Sequence, residues 1–313
     1  MANIKIGQKN IFIIGTGAIG TALAVFLSLA GRPVRLVRGS VNGVGTLVRR
    51  FRVEMEGEAF CEADVEVTAL DSLGDIDGIV VLASKSFGNE NLAITLRKKV
   101  HNSPVVLLQN GLGVERSFLD HGYPHVYRCV LFVTSQQIGS SAVRFKPVAT
   151  SPIGIERGDS AHLHAVVNQL DTPDFRFESA HQIQSVIWKK AIINCVFNSV
   201  CPLLDIDNGI FHRNSDALAL ARRVIAECLV VAEANGVTLR LCDIENSLLK
   251  ISRLSEGQAI STLQDIRSRR RTEIDTLNPE IVRIAAQLEL QNAVPETRLL
   301  GELIRIKSEL ARH

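Results

Sequence analysis

Asn10-Ile11-Phe12-Ile13-Ile14-Gly15-Thr16-Gly17-Ala18-Ile19-Gly20-Thr21, early in a chain of 313 residues, carries the fold decision. Ile11 to Ile14 read as a short buried strand running straight into a GxGxxG turn. Thr21 to Ala30 is helical in composition, Gly31 ends it, and Pro33 to Val37 reads as a second strand. Strand, glycine turn, helix and strand in that order are the context that a dinucleotide-binding unit requires. Each glycine has its own task there. Gly15 permits the tight turn, Gly17 lets the backbone approach a pyrophosphate, and Gly20 lets helix pack closely on strand. Thr16, Ala18 and Ile19 complete the turn, where free N–H groups and the positive end of the helix dipole suit a phosphate. Ile11 to Ala30 is also a run of twenty uncharged residues, long enough to span a bilayer, but its glycines divide it into strand and helix.

The end of the second strand selects between cofactors. An enzyme for NAD usually places an acid there for the ribose hydroxyls. Here Val34-Arg35-Leu36-Val37 runs into Arg38, and no acid follows before Glu54. A guanidinium at that point favours the 2′-phosphate of NADP through charge-assisted contacts. Arg35 counts for less, because strand alternation puts it on the face opposite Leu36.

Outward from this unit, Gly78 to Ala83 and Pro104 to Leu108 read as buried parallel strands, and Val126 to Val133 as another. Residues 142–155 read as short β segments with turns at Lys146-Pro147 and Ser151-Pro152. The first two strands end in Ser84-Lys85-Ser86 and Gln109-Asn110-Gly111-Leu112-Gly113, and ligands of open α/β sheets sit outside the carboxyl ends of strands. From about Ser179 the pattern turns helical: Asn214-Ser215 starts a helix that Asn235-Gly236 stops, and Pro279 and Pro295 divide the remainder. The expected architecture is an α/β Rossmann-type domain over residues 1–178, then an all-α domain over residues 179–313.

Composition narrows the function classes. Hydrophobic residues at 46% and charged residues at 22% exclude a disordered chain. Thirty-five Lys and Arg against 33 Asp and Glu leave +2, and aromatics are 5%, so no nucleic-acid surface is expected. Cys61, Cys129, Cys195, Cys201, Cys228 and Cys242 form no CxxC pair and no cluster with histidine, which reads as reduced, packed thiols of a cytosolic protein without a metal.

Two polar patterns stand out in the helical half. Lys190, Asn194 and Asn198 are spaced i, i+4, i+8 and so form one narrow stripe on an otherwise apolar helix. Such groups need either a ligand-facing cleft or buried bridging contacts. In the block from Ser261 to Asp275, Ser261, Asp265, Ser268 and Thr272 would share one helical face, with Glu273 about 120° away. Arg269-Arg270-Arg271 within it reads as a solvated face or a partner for nearby acids.

Taken together, these motifs resemble the ketopantoate reductase (2-dehydropantoate 2-reductase) family from Gly15 to about Arg305. The resemblance implies a Rossmann domain, a C-terminal domain like that of 6-phosphogluconate dehydrogenase, and reduction of ketopantoate to pantoate with NADPH in pantothenate synthesis. It implies a cytoplasmic enzyme, monomer or homodimer, whose partner is a small 2-oxo acid. Residue by residue, Gly15-Thr16-Gly17-Ala18-Ile19-Gly20 is similar to the family's opening turn, and Arg38 stands where the 2′-phosphate arginine is kept. Lys85 is similar to the lysine along the cofactor and active site, and Asn110 to the asparagine beside the nicotinamide. Trp188-Lys189-Lys190 matches the segment ending in the catalytic lysine, and Asn194, Asn198 and Asn208 match substrate-binding asparagines. The match makes Ser261 the carboxylate-binding serine and puts Glu273 at the cofactor and active site. Ser199 follows Asn198 where the best-known members carry proline, and Gln136 to Phe145 lacks their glycine-rich, histidine-containing turn. Two other readings compete: a reductase of a different small 2-oxo or 3-hydroxy acid, and a non-catalytic NADP-binding sensor.

Overall fold

The computed structural model describes residues 9–39 and 45–313. Two compact units divide the chain: residues up to Gln109 with Val114–Ile183, and Asn110–Gly113 with Gln184–His313.

The first unit is built on a sheet of eleven strands: β1 (Asn10–Ile14), β2 (Val34–Arg38), β3 (Leu47–Glu54), β4 (Phe60–Ala69), β5 (Gly78–Leu82), β6 (Val105–Leu107), β7 (Val126–Cys129), β8 (Val133–Gln137), β9 (Ala142–Pro147), β10 (Ser151–Arg157) and β11 (Phe177–Ser179). Their order is β11-β10-β7-β6-β5-β1-β2-β4-β3-β9-β8. β1 lies between β2 and β5 and is parallel to both, with Ile11 opposite Val34 on one side and Ile79 on the other. The chain leaves β1 in one direction and returns to its other flank, so the ends of β1 and β5 form the point where strand order reverses.

Central strands are buried on both faces, which is why they read as unbroken apolar runs. Ile11 and Ile13 point into a core with Phe26, Phe145 and Phe175, while Phe12 and Ile14 point into another with Leu96, Phe118 and Tyr123. Phe26–Phe145 and Phe145–Phe175 ring centroids lie 5.1 and 5.0 Å apart, tying α1 (Ala18–Leu29) to the sheet. The remaining helices of this unit are α2 (Asn89–Arg97), α3 (Arg116–Asp120) and α4 (Ser160–Leu170).

Several sequence readings need correction. The expected strand Val126 to Val133 is two strands far apart in the sheet, because after Cys129 the chain crosses to form β8 at the edge. Ser151-Pro152 opens β10 rather than a turn, and Lys146-Pro147 closes β9. β3, β4 and the helices α2 to α4 are not marked in the sequence reading. β3 and β4 alternate exposed and buried residues along an antiparallel pair and mix charge with β-branched residues, a weaker signal than a buried run.

The second unit comprises α5 (Ile183–Leu204), α6 (Ile210–Arg213), α7 (Ser215–Ala234), α8 (Leu241–Leu254), α9 (Ser261–Arg267), α10 (Asn278–Gln287) and α11 (Pro295–Leu310). Asn214 caps α7, its side chain accepting from Ala217 N–H at 2.8 Å, and Gly236 follows its end at φ +81°. The Glu227 carboxylate caps α11, accepting from Glu296 and Thr297 N–H at 3.0 and 2.8 Å. All six cysteines are free; four are buried, Cys61 is half-buried, and Cys242 is exposed rather than packed. Among the described residues no helix is long and apolar enough to cross a membrane.

Candidate functional site

In the first unit the glycine turn has the geometry its sequence asks for. Gly15 sits at φ +121°, and a Cβ there would lie 2.5 Å from Ser84 N and 2.7 Å from Ala83 C, inside the turn after β5. A Cβ on Gly20 would strike the Gly15 carbonyl oxygen. Gly17 differs: a Cβ there would meet nothing within 4 Å. Steric need within the protein therefore explains Gly15 and Gly20, whereas Gly17 borders open space at the N-cap of α1. That helix has no side-chain cap, so the N–H groups of its first turn face outward, as a phosphate cradle requires.

Arg38 ends β2, half-buried, with no ion pair to any described residue. Arg35, by contrast, bonds Glu66 at 2.8 Å and lies 5.9 Å from the Phe12 ring centroid, which commits it to the sheet. An uncapped helix N-terminus and a glycine with nothing over it fit the pyrophosphate of a dinucleotide, with Arg38 at the end of the neighbouring strand.

The turns after β5 and β6 are fastened by two buried amides. Gln109 Nε2 donates to Ser84 O at 2.9 Å and to Asn89 Oδ1 at 2.8 Å, while Asn89 Nδ2 donates to Gln109 Oε1 at 2.8 Å and Val114 O at 2.7 Å. Exposed Lys85 stands on the turn so held.

In the second unit, Lys190, Asn194 and Asn198 all lie on α5. Trp188, Ala191, Ile192, Cys195, Val196 and Phe197 around them are buried, whereas Lys190 and Asn194 are half-exposed and Asn198 is buried. The stripe therefore opens at its lysine end and closes at Asn198. Asn198 Nδ2 donates to Asn194 O at 3.1 Å, and its Oδ1 accepts from Ser261 Oγ at 3.3 Å and Thr262 N–H at 3.4 Å. One side chain on α5 thus fixes the start of α9 and brings Ser261 to the stripe.

Asn208 is buried, and its Oδ1 has no hydrogen-bond partner. The rest of the residue is clamped: its N–H donates to Gln258 O at 3.0 Å and its carbonyl accepts from Ser252 Oγ at 2.7 Å. Asp207 Oδ1 accepts from Gly209 N–H at 2.6 Å and Gly257 N–H at 3.2 Å, and Asp207 Oδ2 meets Arg213 at 2.7 Å. The Arg213 guanidinium, helped by those two N–H groups, draws the Asp207 carboxyl down to about 2, so it is ionised throughout the neutral range. Asn208 Oδ1 is thus a buried acceptor without a partner inside a tightly fixed loop.

Asn110 and Glu273, far apart in sequence, meet through Thr276. Gly111 sits at φ +96°, and a Cβ on it would lie 2.5 Å from Thr276 Cβ and 2.6 Å from Thr276 O. Leu112 N–H donates to that carbonyl at 2.8 Å, and Thr276 Oγ1 donates to Glu273 O at 2.9 Å. Asn110 is exposed and Glu273 half-exposed.

Two family profiles account for most of the chain: ketopantoate reductase PanE/ApbA matches residues 11–155, and its C-terminal counterpart matches residues 182–308. The chain belongs to the ketopantoate reductase family. A 2-dehydropantoate 2-reductase of Pyrococcus abyssi is 27% identical over 304 residues, spanning 96% of this chain and 98% of that protein. The crystal structure of a ketopantoate reductase from Ralstonia eutropha JMP134 superposes with a TM-score of 0.83 at 25% identity, covering 97% of this chain and all of the other. A D-mandelate dehydrogenase shares the fold at the same TM-score of 0.83 and 21% identity, over 97% of this chain and 100% of that one.

The block from Ser261 to Asp275 is not one helix. α9 ends at Arg267, Arg269 takes φ +55°, and Glu273 precedes a separate 3-10 turn, Ile274–Thr276. The arginine run pairs with acids, Arg270 to Asp265 at 2.9 Å and Arg271 to Asp275 at 3.6 Å. Asn89 and Asp207 carry no sequence expectation, and Gln109 only that of a residue at a strand's carboxyl end. Asp207-Asn208-Gly209 does carry the signal of an Asx turn, whereas the mutual amide bonding of Asn89 and Gln109 has no local mark. Among the described residues His125, Asp159 and His162 gather side-chain ligand atoms within 4.8 Å. There Asp159 caps α4 through His162 N–H at 2.8 Å and bonds its Nδ1 at 2.6 Å, and the two imidazoles stack at 4.4 Å.

Proposed function

We propose that this protein is a cytoplasmic, NADPH-dependent ketopantoate reductase, with residues 1–178 binding the cofactor and residues 179–313 binding a small 2-oxo acid. The observation that carries the reading is the α5 stripe: Lys190 and Asn194 are half-exposed where Ala191, Ile192, Ile193 and Cys195 to Phe197 beside them are buried, and Asn198 joins the stripe to Ser261. Gly15 to Gly20 would seat the pyrophosphate on the N-terminus of α1, and Arg38 would take the 2′-phosphate. When bound, the nicotinamide supplies the hydride.

Reduction of a ketone builds negative charge on its oxygen, which must be neutralised as it forms. Lys190 Nζ is the general acid: its charge polarises the carbonyl, and it gives up a proton to the developing alkoxide. Asn194 and Asn208 hold substrate polar groups, Ser261 takes the carboxylate, and Asn198 fixes Ser261. Lys85 adds positive charge for an anionic substrate, while Asn110 and Glu273 orient the nicotinamide end. A shared fold with a D-mandelate dehydrogenase leaves the choice of 2-oxo acid to these side chains.

Oxidation of NADPH with ketopantoate, measured in wild type and Lys190→Ala, tests the reading. Turnover that falls by roughly 10²-fold or more in the variant supports it. Wild-type turnover with an unimpaired variant removes Lys190 as the acid. Bound NADPH without turnover on ketopantoate removes the substrate.

A further inference from the structure

Strand pairing in the first unit brings three ligand-type side chains together that lie far apart in sequence. β10 runs antiparallel to β7 with Arg157 opposite Val126, so the residues just past Arg157 come beside His125, which directly precedes β7. Gly158, at φ +122°, leads from β10 to α4. A Cβ on it would lie 3.0 Å from His125 Nδ1, so glycine at this position lets the imidazole close on the loop. Asp159 caps α4, and His162 returns to the same side of the helix about one turn later. One ligand atom from each of His125, Asp159 and His162 lies within 4.8 Å of the other two.

Hydrogen bonding leaves these atoms able to take an ion. Asp159 Oδ1 belongs to the cap, accepting from His162 N–H at 2.8 Å, while Oδ2 meets His162 Nδ1 at 2.6 Å. His125 Nδ1 is buried with no hydrogen-bond partner among the described residues. An ion between Oδ2 and His162 Nδ1 would replace the proton there, leaving the neutral ring protonated at Nε2 and the cap intact. Two imidazoles and one carboxylate do not suit calcium or magnesium, which need several oxygens; they suit zinc, with water as a fourth ligand. Lys9, whose positive charge reaches His125, likewise favours an ion held by directed bonds over one held by a negative field. Tetrahedral bonds of about 2.1 Å set ligand atoms about 3.4 Å apart, so the group must draw in by up to about 1.4 Å. The imidazoles, stacked at 4.4 Å, must then splay, and the His162 and Asp159 side chains, 48% and 50% exposed, have room to turn.

We propose that His125, Asp159 and His162 form a zinc site that clips the start of β7 to the start of α4. β1, β5, β6 and β7 run parallel; the glycine turn follows the carboxyl end of β1, whereas His125 precedes the amino end of β7. The site therefore lies at the opposite end of the sheet from that turn, and it stands or falls independently of the reaction catalysed. Zinc chloride titrated calorimetrically into the metal-free, untagged protein without NADPH is expected to bind one ion per chain. It should also raise the melting temperature, an effect that EDTA reverses. His125→Ala and His162→Ala are each expected to weaken binding by about 100-fold or more, since loss of a supporting group alone costs roughly 10–100-fold. Asp159→Asn removes the anionic ligand but keeps a good N-cap, so it should lose zinc by a similar factor while the metal-free melting temperature changes little. Cobalt in place of zinc should give the visible bands of a nitrogen and oxygen site, without the thiolate charge-transfer band that exposed Cys242 would produce. Absence of zinc binding in the wild type overturns the proposal. So does binding that survives both His162→Ala and Asp159→Asn, or a thiolate band in the cobalt spectrum.

Discussion

Two glycine loops of this protein invite comparison. Gly15-Thr16-Gly17 follows β1 and Gly111-Leu112-Gly113 follows β6, and in each the first glycine has a positive φ, +121° and +96°. Gly15 is squeezed by the backbone of Ala83 and Ser84, at the end of a strand paired with its own. Gly111 is squeezed by Thr276, a residue from the far end of the chain. The residue type and the backbone demand are the same, but the demand originates inside a local supersecondary unit in one case and in long-range packing in the other.

Substitutions can break that contrast. Gly15→Ala adds backbone strain and a collision with main-chain atoms that have nowhere to move, and is expected to cost about 3–5 kcal/mol in urea unfolding. A loss under about 1 kcal/mol would mean that the turn after β5 yields and the constraint is not local. Gly111→Ala is expected to cost somewhat less, about 2–4 kcal/mol, because part of its collision is with a side chain. Thr276→Gly in the same protein should recover about 1 kcal/mol of that, as a double-mutant cycle would read. No coupling between the two positions would show that Gly111 is held by its φ alone. Gly17→Ala should change stability least, within about 1 kcal/mol, since its Cβ enters open space and only the N-cap preference is lost. Calorimetric titration of the same variant should nevertheless show NADPH binding weakened by roughly tenfold, one good phosphate contact. Unchanged NADPH affinity would detach Gly17 from the cofactor.

The same contrast runs through the candidate site. Lys190, Asn194 and Asn198 are legible as a stripe because helical periodicity alone brings i, i+4 and i+8 to one face. Their division into an open lysine end and a closed Asn198 is not legible, since it depends on α9 supplying Ser261 and Thr262 as donors. Treating Ser261 to Asp275 as one helix failed for a related reason: Arg269 leaves helical geometry without a glycine or proline to announce it. The amide pair of Asn89 and Gln109 is invisible in sequence because its members come from the start of a helix and the end of a strand.

By itself the sequence determined what repeats with a short period or is demanded by a tight turn: the strand, turn and helix around Gly15, the break from mixed to helical structure, and the polar stripe of α5. Backbone sterics and helical periodicity act between near neighbours, so a chain read in order contains them. Tertiary structure decided which polar groups are paired and which are left without a partner. Asp207 is held by Arg213 and two backbone N–H groups, Asn198 is turned to Ser261, and Asn208 Oδ1 is buried and unsatisfied. Hydrogen-bond satisfaction depends on atoms meeting within about 3 Å, and residues distant in the chain meet only once their elements have packed.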